Sequence, residues 1–146
     1  MAVQQIDIEQ FLQLAEEHPV FDVRSPSEYG HAHIPGALPL PLFSDDERRE
    51  VGTTYKQRSR EAAIKIGLDY FGIKMRQMVC LVEDILHHKG TNTVLLHCWR
   101  GGMRSGAVSW LLDMYGFRVF SLRGGYKKYR NWVLDQFSRP YSLRIL

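Results

Sequence analysis

The chain has 146 residues, of which 45% are hydrophobic and 24% charged. This is the length and balance of one globular domain, not of a disordered or fibrous chain. No apolar run approaches the roughly 18 residues of a membrane span, and Met1-Ala2-Val3-Gln4-Gln5 lacks the basic and apolar regions of a secretory signal. Two cysteines, Cys80 and Cys98, are too few for a disulfide scaffold, so a reducing, cytoplasmic setting is expected. The net charge of +3 hides a split. Residues 1–95 carry 10 basic and 14 acidic side chains, and residues 96–146 carry 9 and 2. The basic half reads either as a surface for an anionic partner or as a solvated helix face.

In chain order, Ile8, Phe11, Leu12, Leu14 and Ala15 give helical spacing, and Pro19 stops that helix. Val20-Phe21-Asp22-Val23 reads as a short buried strand. Ser25-Pro26-Ser27-Glu28 reads as a helix start, with Ser25 as cap and Glu28 completing a capping box. Pro35-Gly36 is a turn, and residues 38–42 are an extended piece broken by Pro39 and Pro41. Residues 44–60 are strongly charged and stay unassigned, as a substrate-gating loop or a solvated excursion. Residues 61–89 read as one long helix with a break near Gly67 or Gly72, ended by Gly90. Val94 to His97 is a second strand, 105–115 a helix capped by Gly116, 117–122 a third strand and 126–137 a final helix. Strands alternating with helices predict an α/β fold, a central parallel sheet with helices on both faces. The domain is expected over residues 1–138.

The segment His97-Cys98-Trp99-Arg100-Gly101-Gly102-Met103-Arg104-Ser105 carries the chemistry. A buried strand delivers Cys98 to the carboxyl edge of the sheet, where open α/β folds bind ligands. The loop after it runs straight into a helix. Its backbone N–H groups can converge on one point and favour an anion or a thiolate. Arg100 and Arg104 add positive charge, and the thiolate is the nucleophile. Gly101 and Gly102 let the backbone curl around a bound group. Trp99 and Met103 give the loop an apolar side. Cys80, within Met78-Val79-Cys80-Leu81-Val82, reads as a small core hydrophobe. His97 is expected on the opposite sheet face from the thiol, as a structural residue. No histidine or cysteine spacing suits a metal, and no G-x-x-x-x-G-K-[ST] occurs in the chain.

These residues resemble a known family. Asp22-Val23-Arg24, Glu28-Tyr29 and His31-Ala32-His33-Ile34-Pro35-Gly36-Ala37 resemble the N-terminal signature of rhodanese-like domains. Gly116-Phe117, Leu122-Arg123-Gly124-Gly125 and Trp132 resemble the C-terminal one. The resemblance implies a rhodanese-like fold with the active-site loop between a central strand and a helix. Within it, Cys98 to Ser105 together with Val51-Gly52-Thr53 and Tyr55-Lys56-Gln57 are similar to the tRNA 2-selenouridine synthase family. That likeness implies a transferase of sulfur- or selenium-containing groups. Cys98 would carry selenium as a perselenide, and Trp99 to Arg104 would be the anion-binding loop. It implies selenophosphate and geranyl diphosphate as substrates, tRNA as partner, and no permanently bound cofactor. The reaction would convert wobble 2-thiouridine to 2-selenouridine by way of the S-geranylated base. Lys56, Arg58, Arg60, Arg123, Lys127, Lys128 and Arg130 are then candidate tRNA contacts. Residues 139–146 would be a linker or the first strand of a P-loop domain.

Five residues separate Cys98 from Arg104. The same spacing resembles rhodanese-fold cysteine phosphatases and arsenate reductases, although the loop holds no Asp or Glu to act as general acid. A stand-alone persulfide carrier and an inactive docking module are the further alternatives.

Overall fold

The computed structural model of the chain describes residues 2–138. The final stretch, 139–146, for which a linker or a further strand is expected, lies outside the described residues. Five strands, β1 (Gln4–Ile6), β2 (Val20–Asp22), β3 (Leu38–Pro39), β4 (Thr93–His97) and β5 (Arg118–Leu122), form one sheet in the order β1-β5-β4-β2-β3. Every neighbouring pair is parallel. Seven helices complete the described residues: α1 (Ile8–Ala15), α2 (Pro26–His31), α3 (Asp45–Gln57), α4 (Arg60–Gly72), α5 (Met75–Lys89), α6 (Met103–Tyr115) and α7 (Gly125–Phe137).

The sheet is covered on both faces because β4 is buried along its whole length. A strand turns alternate side chains to opposite faces. Val94, Leu96 and Cys98 therefore join one core, with Val82 of α5 and Val108 and Leu112 of α6. Leu95 joins the other, with Phe11 of α1 and Tyr126 of α7. His97 follows Leu95, packing its ring against Phe11 and Tyr126, across the sheet from the thiol. Proline is tolerated in β3 because β3 is an edge strand.

Three features differ from the sequence reading. β1 escapes it because its three residues include two exposed glutamines, and its pairing with β5 supplies the order that composition does not. Residues 45–57 form a helix rather than a loop. Ser44 Oγ accepts from Glu47 N–H at 3.2 Å, Glu47 Oε1 accepts from Ser44 N–H at 2.9 Å, and three acids occupy the first turn. The long helix expected over residues 61–89 breaks beside Gly72, one of the two places expected, and gives α4 and α5. The chain turns at Ile73-Lys74, where Lys74 donates its backbone N–H to Phe71 O at 2.9 Å and its Nζ to Leu42 O at 3.0 Å. Cys80 is exposed, not a core residue. Met78, Val79, Val82 and Leu86 are the inward stripe of α5, and at about 100° per residue Cys80 falls outside it.

Candidate active site

The carboxyl ends of β2, β4 and β5 lie side by side, and each delivers a part of the site. From β4 comes Cys98, 3% exposed at the floor of the 99–102 loop. Its Sγ lies 3.3 Å from Ser105 Oγ in the first turn of α6, and that hydroxyl donates in turn to Gly102 O at 3.3 Å. A hydroxyl can rotate, so Ser105 accepts from the thiol and can donate to a thiolate. Gly102 takes φ 83°, the left-handed turn that lets the loop become a helix, and Gly106 N–H closes on Gly102 O at 2.7 Å.

From β5 comes the Gly124-Gly125 turn. Tyr126 N–H donates to Cys98 O at 2.8 Å and Lys127 N–H to Trp99 O at 2.9 Å. The first turn of α7 thus holds the loop by its carbonyls. Only glycine permits this approach: a Cβ on Gly125 would stand 2.6 Å from both oxygens, and its φ is +60°. Above the turn, Trp99 stacks on Tyr126 with ring centres 6.1 Å apart, and the Arg130 guanidinium lies 5.8 Å from the Trp99 ring.

From β2 come Asp22 and Arg24, both buried. Arg24 Nη2 donates to Asp22 Oδ2 at 2.7 Å and to Ala32 O at 2.7 Å, and its guanidinium lies 4.1 Å from the Tyr126 ring centre. A buried ion pair tolerates its desolvation only with such extra partners. His97 Nδ1 lies 3.1 Å from Cys98 O, and burial pushes the His97 pKa below its ordinary value, against the pull of Asp22. A neutral ring therefore donates to the carbonyl beside the nucleophile. Its Nε2 has no hydrogen-bond partner among the described residues, with Asp22 Oδ2 at 3.7 Å.

The two loop arginines part company. Arg100 is exposed, whereas Arg104 turns to Glu28, Nη1 to Oε1 at 2.6 Å and Nη2 to Oε2 at 3.3 Å. Glu28 also accepts from Ser25 N–H at 3.0 Å and meets Arg48 Nε at 3.3 Å. One carboxylate thus joins the starts of α2 and α6 and the first turns of α3. The sequence presents Glu28 as a capping residue and as part of the family signature, and neither shows its ion pair with Arg104. A partner 76 positions away leaves no local signal. Ser105 was likewise a loop boundary, and its contact with the thiol appears only once α6 is built.

Burial raises the Glu28 pKa, but Arg104, Ser25 and Arg48 outweigh it and bring it from 4.5 to about 2. A carboxylate depressed on folding stabilises above its unfolded value and loses that contribution as pH falls through its folded one. The expected result is a stability that declines between pH 4.5 and about 2. In Glu28→Gln, urea midpoints measured across that window should show a shallower decline. An unchanged slope would show that other carboxylates govern it.

The candidate tRNA contacts occupy two places. Lys56 and Arg58 are exposed where α3 turns into α4, which Arg60 begins. Lys127, Lys128 and Arg130 lie on α7 beside Trp99, with Lys128 and Arg130 exposed. Arg123 Nη1 pairs with Asp7 at 2.7 Å, so its charge also ties the end of β1 to β5. Among the described residues no three His, Cys, Asp or Glu side chains cluster to hold a metal, and no helix is long and apolar enough to cross a membrane.

A cysteine at the carboxyl end of the central parallel strand, its carbonyl held by the turn after β5, with a buried Asp-x-Arg pair at the end of the neighbouring β2, defines a class. Residues 7–131 match the rhodanese-like domain family, and the chain belongs to it. The curated relatives narrow this further. The tRNA 2-selenouridine synthase of Nitrosomonas europaea is 37% identical over 88% of this chain, and that of Bdellovibrio bacteriovorus 34% identical over 99%. The chain spans 34% and 38% of those two proteins. Among solved structures, the N-terminal domain of a candidate ATP/GTP-binding protein from Clostridium difficile 630 superposes with a TM-score of 0.82 at 39% identity, covering 91% of this chain and 99% of that one. The human single-domain sulfurtransferase TSTD1 shares the fold, with a TM-score of 0.51 at 18% identity over 89% of this chain and 97% of that one.

Proposed function

We propose that this chain is the rhodanese-like domain of a tRNA 2-selenouridine synthase, with Cys98 carrying selenium from selenophosphate as a perselenide on its way to wobble 2-thiouridine. The observation that supports it most is the placement of Cys98. It directly follows the last residue of β4, its carbonyl is fixed by α7, and its Sγ meets a hydroxyl from α6. The relatives named above add the chemical class. Arg100, and Arg104 on release from Glu28, are suited to the anionic phosphate and then to the anionic perselenide. Geranyl diphosphate belongs to the same reading, as the second substrate. Lys127, Lys128 and Arg130 on α7, the last of them beside the Trp99 ring, are suited to the phosphates of a tRNA brought to the loop, and such binding should weaken steeply with salt.

The test is direct loading. The protein is incubated with selenophosphate under anaerobic conditions, and intact and peptide masses are read without reduction. One selenium atom on the Cys98 peptide is the expected result. An unmodified Cys98, or selenium found only on exposed Cys80, would sink the reading. Attack on selenium would leave the Se–P electron pair on phosphorus as phosphite, which phosphorus NMR distinguishes from phosphate. Thiosulfate in a parallel arm shows whether sulfur loads in preference to selenium.

A further inference from the structure

The loop from Cys98 to Arg104 admits two geometries for a tetrahedral anion. With phosphorus or arsenic against Sγ, the oxygens lie within the loop, and backbone N–H groups and a guanidinium close around them. With selenium or sulfur against Sγ, the rest of the donor lies one bond further out, at the mouth of the loop. The position of the Arg104 guanidinium decides which geometry is favoured.

That guanidinium is held away from the loop. Its Nη1 and Nη2 donate to Glu28 Oε1 and Oε2 at 2.6 and 3.3 Å, and the two side chains are only 19% and 15% exposed. Among the described residues no hydrogen bond joins Arg104 Nε, Nη1 or Nη2 to the loop backbone or to the thiol. The side chain instead lines the space between the α3–α4 pair and α6, together with Arg48 and Arg60. Glu28 stands where it does independently of Arg104. It completes the capping box of α2, accepting from Ser25 N–H at 3.0 Å and Ser25 Oγ at 3.1 Å, and it meets Arg48 Nε at 3.3 Å. Moving Arg104 onto an oxyanion at Sγ breaks a two-pronged, largely buried pair, and it leaves an ionised carboxylate without that partner. Both effects oppose such an anion. Arg100, which is exposed, is free of this constraint and serves a donor whose phosphate lies at the mouth.

We propose that Glu28 is a positioning residue that sets the specificity of the cysteine loop: by withholding the Arg104 guanidinium it keeps the loop from clamping phosphate or arsenate against Sγ, and it leaves Cys98 to chalcogen donors. The preference for chalcogen donors rests on the proposed function. The rejection of oxyanions does not.

The test measures the affinity of the whole chain for inorganic phosphate and for tungstate by calorimetric titration. Protection of Cys98 from iodoacetamide, read on its own peptide, locates the anion at the loop. Glu28→Gln keeps a side chain suited to the capping box at this position. It should bind both anions at least roughly tenfold more tightly than the wild type, the worth of one charge-assisted contact. Loss of a negative charge by itself also draws anions in, so the gain is measured again beside Arg104→Met. If it comes from the freed guanidinium, Glu28→Gln adds nothing once Arg104→Met is present. Were the pair instead to aim the remaining N–H donors of Arg104 at the loop, Glu28→Gln would weaken binding. Unchanged or weaker binding in a Glu28→Gln protein with an unaltered circular dichroism spectrum, or a gain that survives Arg104→Met, would overturn the proposal. In a further arm, excess phosphate should slow selenium loading of Glu28→Gln at concentrations that leave the wild type unaffected, and equal slowing of both would count against the specificity role. The titrations need no selenium, so failure of this role is distinguishable from failure of the proposed function.

Discussion

Cys98→Ser should abolish chalcogen loading altogether, by selenophosphate and by thiosulfate alike. Sulfur is the nucleophile, and a serine hydroxyl has neither its ready ionisation nor its polarisability. The substitution is close to isosteric, and the new hydroxyl sits within reach of Ser105 Oγ, which already lies 3.3 Å from Sγ. The fold should therefore survive at a cost of about 1 kcal/mol, an ordinary value for a point change. Cys80→Ser supplies the control. Cys80 is exposed on α5, and its removal should leave loading at the wild-type level. Peptide mass spectrometry on both variants decides the matter, and an adduct retained in Cys98→Ser would remove the cysteine from its role.

Gly125→Ala should be nearly as damaging to loading, although residue 125 carries no chemistry. The added methyl would stand 2.6 Å from Cys98 O and Trp99 O, closer than any carbon can approach an oxygen, at a φ of +60° that alanine resists. The contacted atoms are backbone and cannot swing aside as a side chain would. Either the first turn of α7 or the cysteine loop must shift, and the bonds from Tyr126 and Lys127 N–H weaken with it. A displacement near 1 Å at a reacting group can cost on the order of 100-fold. The expected result is loading slowed by about that factor in a protein whose far-ultraviolet circular dichroism is unchanged. Gly36→Ala separates backbone strain from the clash. Gly36 also has a positive φ, 84°, but nothing lies within 4 Å of its Cβ position. It should lose some stability and keep its loading rate. Equal loss in both variants would assign the effect to strain alone.

Much of this architecture could be read from the sequence because its signals are local. The buried run Val94 to His97, the Gly116 cap and the Ser25–Glu28 capping box each depend on residues within four positions of one another. So does the cysteine followed by glycines and a helix, and the structure places it at the carboxyl end of the central strand. What escaped depends on distance or on face. β1 has little composition of its own and exists through β5. The break beside Gly72 is expected, but the contact that secures it, Lys74 reaching back to Leu42, is not. Cys80 was misplaced because a run of apolar residues does not reveal which side of a helix each occupies. The sequence presents Arg104 as a charge of the anion-binding loop and shows no partner for it. Its guanidinium meets Glu28, and only the assembled sheet brings those two together.

The strand order carries a consequence for how the chain acquires this shape during synthesis. Val20–Asp22 pairs with β4, which begins at Thr93, and Gln4–Ile6 pairs with β5, which begins at Arg118. A nascent chain that has emerged as far as α5 can offer Val20–Asp22 only the two-residue β3 as neighbour. Two-stranded pairs are marginal in water. More than half the polypeptide must therefore wait, uncommitted, for its central strand, and such long-range closure is slow. The cysteine loop waits longer still, because the N–H groups that hold its carbonyls belong to Tyr126 and Lys127. The nucleophile is set in place only when nearly all of the domain has left the ribosome, so no shorter nascent chain presents a finished reactive thiol.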